Sequence, residues 1–401
     1  MPNIINRQLE IRFPNDDHST ITGSNIVAES MTITRSLCDG DFKLGGCIAT
    51  SFEIQLFGIP PDSIQGKKIQ VFAWEQYYAD EVICPATTLF PNVNIYPGMR
   101  PLRQQGRYFF TGTIDSAKRQ QNRQIIQVTA YDDLYTLGNN NAYTWFYNFA
   151  NYSSTATMSN VIAGLWAAPN RLEDLPYVNR FKSTNGNASK MLALSASLVT
   201  SNYSGDLSVS EILRSVCELT NCCGYVNERG EFDVIDFKES NYIYVLENYE
   251  NLEFEEYVTQ VFDSLVLTYG GNAQKILGRA STQAHPSCYY CDDNVISNCC
   301  NDSSVMSLLA KGVTDYGRLL YEDYCYRPFT LKIEDNILPD DIKQCSIGSK
   351  VKIATGLDTG DIQYVNSFVM ADKVTGIINL THEFSAAGAQ YQSKYDKEAI
   401  T

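Results

Sequence analysis

Cys288 and Cys291 stand in CxxC spacing, with His285 three residues before them and the adjacent pair Cys299–Cys300 eight residues after. A structural zinc site takes four soft ligands, often paired at such spacings. Adjacent thiols do not readily turn toward one ion, however, and the chain has no second CxxC. Zinc, a disulfide formed late, and thiols packed as small apolar groups all stay open for this stretch. Histidine chemistry has little material: only His18, His285 and His382 occur, none in an HExxH pattern. Neither GxSxG nor a Walker A motif is present, and the GG pairs at Gly45 and Gly270 lack the strand–turn–helix setting that binds dinucleotides.

Glycoside hydrolysis needs two carboxyl groups at a set separation, and Asp132–Asp133 and Glu255–Glu256 are the conspicuous pairs among 46 acidic residues. Neighbouring residues on a strand or helix mostly point apart, and acidic surface runs are usually solvated. No catalytic, cofactor-binding or metal-binding residue is therefore assigned. Arg100, Arg103, Arg107, Lys118, Arg119 and Arg123 form a basic exception in a chain of net charge −15. Over most of the surface that charge repels phosphates and argues against nucleic-acid binding. It fits simple solubility, or an acidic wall that DNA passes without sticking.

The elements that carry these residues are mostly strands. Tyr, Thr, Ser and Asn are frequent, and charged residues make up only 19% of the 401. Twelve cysteines without an export signal imply synthesis in a reducing compartment, and no apolar run is long enough to span a bilayer. Arg107 to Leu137 reads as a long hairpin handed to a short helix. Tyr108, Phe110 and Ile114 share one face of its first arm, and Ile126, Val128 and Ala130 one face of its return. Lys118 to Arg123 makes the polar tip. Before it, residues 5–13, Met31–Thr34, Ser51–Leu56 and Ile69–Trp74 read as strands, and 83–101 as loop.

Ser208 to Thr220 is the best helix. Ser208 and Glu211 have capping-box spacing, and Val209, Ile212, Leu213, Val216 and Leu219 form one stripe. Tyr225–Val226 and Phe232–Phe237 flank a turn with Gly230, and an acidic segment, Glu247–Glu256, precedes a strand at Val261–Tyr269. Residues 158–167 and 303–324 are further helical patterns. The last part reads as strands at Phe329–Ile333, Lys350–Ala354, Ile362–Met370 and Lys373–Phe384.

Several of these stretches resemble one family. ESMTITRSLCDGDFKLGGCIATSFEIQLFG is similar to its early strand pair, and FTGTIDSAKRQQNRQIIQVTAYDDLYTL to its hairpin and closing helix. LSVSEILRSVCELTNCCGYVNERGEF, YCYRPFTL and TGIINLTHEFSAAG follow in the family's order. The family is the baseplate or tail-tip hub of phages and phage-tail-like particles of Gram-positive bacteria.

The resemblance implies an α+β, mainly antiparallel β protein with two tube-like barrel or sandwich domains: residues 1–140, a mixed connection over 141–250, and a second β-rich region over 251–401 with the helix at 303–324. It implies a homotrimeric structural ring in the virion that joins a six-fold tail tube to a three-fold tip or spike and lines the ejection channel. The subunit is made in the host cytoplasm. Its partners would be the tail tube or distal tail protein, the tip or spike and other baseplate proteins, with DNA passing unbound, and no cofactor is implied. Lys118, Arg119 and Arg123 become the candidate assembly contact. A tail-associated cell-wall hydrolase and a zinc-binding adaptor are the alternatives. Many hubs continue into a hydrolase or receptor-binding module, whereas this sequence stops after SAAGAQYQSKYDKEAIT. Lysis and receptor recognition are therefore expected of other proteins. The Cys288–Cys300 connection has no counterpart in the family pattern.

Overall fold

A computed structural model describes residues 4–14, 20–38, 45–78, 102–121, 124–138, 141–152, 156–157, 181–183, 195–196, 206–220, 222–235, 243–255, 264–269, 273–278, 288–291, 293–299, 327–338, 342, 347–356 and 360–386. In chain order the first strands are β1 (Ile4–Arg12), β2 (Thr20–Ile21), β3 (Thr32–Ser36), β4 (Ser51–Phe57), β5 (Lys68–Tyr78), β6 (Leu102–Arg119) and β7 (Ile125–Tyr131). Helices α1 (Asp133–Gly138) and α2 (Tyr143–Tyr152) follow, then β8 (Ala156–Thr157), β9 (Phe181–Ser183), β10 (Ser195–Ala196) and α3 (Val209–Leu219). The middle holds β11 (Cys223–Val226), β12 (Phe232–Ile235), β13 (Ile243–Leu246), β14 (Asn251–Phe254), β15 (Ser264–Tyr269), β16 (Ala273–Gly278), β17 (Cys288–Cys291) and α4 (Val295–Asn298). The chain ends in β18 (Phe329–Glu334), β19 (Lys350–Thr355), β20 (Gln363–Phe368), β21 (Ala371–Thr375) and β22 (Thr381–Ala386).

Eleven strands make one antiparallel sheet in the order β14-β18-β22-β21-β3-β4-β7-β6-β5-β1-β2. The mainly antiparallel β class with a few helices is thus borne out; no closed barrel is present among the described residues. The junction is β21 on β3, where Val374 faces Ile33, so strands from both ends of the chain share one ladder. Alternation decides which way each strand faces. Phe52, Ile54 and Leu56 on β4 and Ile126, Val128 and Ala130 on β7 point into one core, with Phe52 stacked 5.2 Å from Phe110.

Two bulges correct the simple reading of β6. The register slips opposite Val71/Phe72, so Phe109 and Phe110 are both buried while half-buried Tyr108 meets Phe72 edge to face at 5.0 Å. A second slip between Ile114 and Ser116 leaves Asp115 exposed and buries Ala117.

The expected helix at 208–220 is α3, and both halves of its capping box form: Ser208 Oγ accepts from the Glu211 amide at 3.2 Å, and Glu211 accepts from the Ser208 amide at 2.7 Å. Its apolar stripe is buried in a second core with β11, β12 and the C-terminal strands. The turn between β11 and β12 uses Gly230 at φ +80°, as its position predicts. Lys373–Phe384, expected as one strand, is instead the β21–β22 hairpin. Its turn begins at Gly376 with φ +96°, and a Cβ there would lie 2.3 Å from the Asn379 carbonyl oxygen. The acidic segment itself contains edge strand β14, an element missed because its apolar residues are only Leu252 and Phe254. The helical patterns at 158–167 and 303–324 and the 83–101 loop lie outside the described residues.

Candidate assembly site and the buried ionic joint

The 18-residue strand β6 carries the basic residues singled out in the sequence, and the fold separates them. Lys118 and Arg119 lie exposed at its far end, where the Gln120 amide bonds to the Ile125 carbonyl across the tip. Phe57, 45% exposed, ends the neighbouring strand β4 beside Ile125. Arg123 and Arg100 lie outside the described residues.

Arg107 does not belong to that tip. It is part of a buried ionic joint that sequence reasoning did not assemble. Arg7 of β1 donates to Glu75 of β5 at 2.8 Å and to Asp335, in the turn after β18, at 2.7 Å. Arg107 reaches the other oxygen of Asp335 at 2.9 Å. His382 of β22 bridges Asp335 through Nε2 (3.1 Å) and Asp372 of β21 through Nδ1 (3.0 Å). Arg35 of β3 continues the chain to Asp372 at 3.8 Å and to Glu228 at 3.3 Å, and donates to the Phe109 carbonyl at 2.6 Å. The Arg107 guanidinium also lies 4.6 Å from the Phe109 ring centre.

These groups sit in the apolar phase of their strands: Arg7 with Leu9 and Ile11, Glu75 with Val71 and Ala73, Asp372 with Val374, His382 with Phe384. A charge repeated into the buried register was the signal available in the sequence. Burial alone would raise the Asp335 carboxyl, but His382, Arg107 and Arg7 hold it well below the carboxylate range. Burial would likewise depress His382, and Asp372 and Asp335 together raise it above the ordinary imidazole value. Arg7 also donates to the carbonyls of Ile377 and Ile378 at 3.2 and 3.1 Å, and Glu29 accepts from their amides at 2.8 and 3.2 Å. The β21–β22 turn is thereby held to the first strands from both sides. Glu29 adopts φ +52°, a left-handed conformation uncommon outside glycine.

The carboxylate pair Asp132–Asp133 is divided as adjacent residues predict. Asp132 accepts from the amides of Thr50 (2.7 Å) and Leu134 (2.9 Å), tying β4 to the start of α1. Burial pushes its carboxyl up to about 7 against those hydrogen bonds. Asp133 faces the other way and takes Lys68 at 2.7 Å. Burial raises Asp133 and lowers Lys68, each partly offset by the other. Both carboxyls are 1% exposed, which leaves no room for a substrate. Glu255 is exposed at the end of β14, and Glu256 lies outside the described residues.

Of the cysteine stretch, Cys291 ends β17 against Leu267, and Cys299 caps α4; both are buried. Cys288 begins β17, while His285 and Cys300 lie outside the described residues. Among the described residues no group of three or more His, Cys, Asp or Glu is arranged to hold a metal. The denser thiol group is elsewhere: Cys38, Cys47, Cys217, Cys222 and Cys223 are all buried in the core under α3. Burial drives the Cys47 thiol up to about 12 and Cys217 well above its ordinary value, so both sit as small apolar groups. No helix among the described residues is long and apolar enough to cross a membrane.

One long sheet thus joins strands from the two ends of the chain, and two solved structures share this fold. A tail protein of Neisseria meningitidis MC58 superposes with a TM-score of 0.54 over 98% of this chain and 99% of that one, at 11% sequence identity. The 43 kDa tail protein of prophage MuSo2 from Shewanella oneidensis superposes with a TM-score of 0.53 over 95% and 98%, at 10% identity. The chain shares their fold along nearly its whole length. No protein-family model matches the sequence, and no curated protein matches it.

Proposed function

We propose that this protein is a structural, non-enzymatic subunit of a phage-type tail: a tail-tip or baseplate hub that forms a three-copy ring. The observation that carries this reading is the eleven-stranded sheet, in which strands from both ends of the chain pair at β21–β3, on a fold shared end to end with two tail proteins. Tube-like units over 1–140 and 251–401, joined by 141–250, would let three chains present six units to a six-fold tube and three to a tip or spike. The partners are then further copies of the chain, the tail tube or distal tail protein, and the tip, all within the virion. A net charge of −15 suits a channel that DNA crosses without binding.

Lys118 and Arg119, with Arg123, supply the contact to a neighbouring ring or subunit. Native mass measurements of the purified chain, alone and with tube-forming tail protein, test the ring. Three copies are expected in at least one condition, and a chain that stays monomeric and never enters particles overturns the reading. Replacing Lys118 and Arg119 together by Glu is expected to leave the subunit folded and block particle assembly. Normal particles from that variant would reduce the tip to a solvated turn.

A further inference from the structure

The joint is organised around one histidine. Among the described residues, four carboxylates, Glu75, Asp335, Asp372 and Glu228, face three guanidiniums, Arg7, Arg107 and Arg35. The eighth member, His382, is 0% exposed and lies between two of the carboxylates. Left neutral, it turns a nitrogen lone pair toward one of two carboxylates where water cannot reach; protonated, it donates to both and carries the opposite charge. An uncompensated buried charge is far more costly than a balanced one.

We infer that His382 works as an imidazolium that bridges the two carboxylates it touches, and that loss of its proton at alkaline pH is a built-in release of β18, β21 and β22 from β1, β5 and β6. Both ring nitrogens then donate, Nε2 to Asp335 and Nδ1 to Asp372, which two acceptor-only carboxylates require. Among the described residues, the two carboxylates that touch the ring favour that state, and the guanidiniums behind them oppose it. Asp372 on β21 and Asp335 after β18 touch it directly. Arg7, Arg107 and Glu75 stand behind Asp335, and Arg35 and Glu228 behind Asp372.

The sign follows from the direction in which His382 is shifted. Because folding raises its affinity for the proton, the contribution is complete below the ordinary imidazole value of 6.5. It fades as pH climbs through the raised native value. The inference does not depend on the chain being a hub.

A nitrogen-15 titration of the His382 imidazole in the intact chain is the direct test. His382 is expected to keep both protons to a pH above the ordinary imidazole value of 6.5. An imidazole that is singly protonated from pH 5 upward overturns the inference. Melting curves of Asp372→Asn provide the second arm, because an asparagine amide can donate to a neutral ring nitrogen and so removes the demand for a doubly protonated ring. Wild type is expected to lose about 3 °C or more between pH 6 and pH 9, and Asp372→Asn to lose that alkaline limb. The same limb in both proteins overturns the inference, even if His382→Gln proves unable to fold.

Discussion

The two ends of β6 carry the same kind of side chain under opposite conditions. Arg107 is enclosed with Asp335, Glu75 and Phe109, and burial lowers its proton affinity less than Asp335 and Glu75 raise it. Lys118 and Arg119, eleven and twelve residues further on, are exposed. In water a charge interacts weakly and is screened within about 8–10 Å. Enclosed among strands, it requires a partner in a fixed position. The buried end therefore specifies how the chain's own halves meet, while the exposed end faces solvent.

Removing the best-connected member of the joint is expected to show the largest effect. Asp335→Ala leaves Arg7, Arg107 and His382 without their shared acceptor and should destabilise the fold by about 5 kcal/mol, read from urea unfolding at pH 7. In wild type the same carboxylate predicts an acid limb. Its depressed affinity stabilises the fold above the ordinary carboxylate range, and that contribution disappears as pH falls through the native value.

Lys68→Met is the intermediate case, since it strands one carboxylate with one lost partner. About 3 kcal/mol is expected near neutrality. The loss should shrink in acid, because Asp133, whose affinity for protons burial already raises, neutralises itself there. At the exposed end, Lys118→Glu with Arg119→Glu should move unfolding stability by no more than about 0.5 kcal/mol. A loss comparable to that of Asp335→Ala would erase the distinction between the two ends.

Local elements were legible wherever one residue pattern meets one kind of neighbour. The capping box at Ser208 and Glu211, the alternation of β4 and β7, and Gly230 at its turn need only nearby chain, and they appear in the structure as read. The alternation of β6 was harder, because a bulge at Phe109 shifts the phase with no glycine or proline at the slip itself. The turn inside Lys373–Phe384 was hidden by Ile377, Ile378 and Leu380, apolar residues that continue a strand-like texture through Gly376.

The joint was the least accessible feature. Arg7 and Asp335 are 328 positions apart, and neither stands out in its own neighbourhood. Only the strand phase marks them, and phase alone does not say which distant charges meet. Lys118 and Arg119 were placed at an exposed tip from polarity alone, and they are exposed in the structure; the contact proposed for them involves another surface, which one sequence does not contain.

The pairing of β21 with β3 also sets a timetable for synthesis. When β3 and β4 have left the ribosome, β3 still lacks its second neighbour, because residues 371–375 come more than three hundred positions later. Through that interval the newborn N-terminal half carries an open strand edge and an Arg7 without Asp335. Such edges are sites of mispairing between chains. Completion is a late, long-range event of the kind that slows folding. A chain cut before residue 371 would lack the strand that covers β3, as well as Asp372 and His382 of the joint, so translation through β22 is what makes the beginning stable.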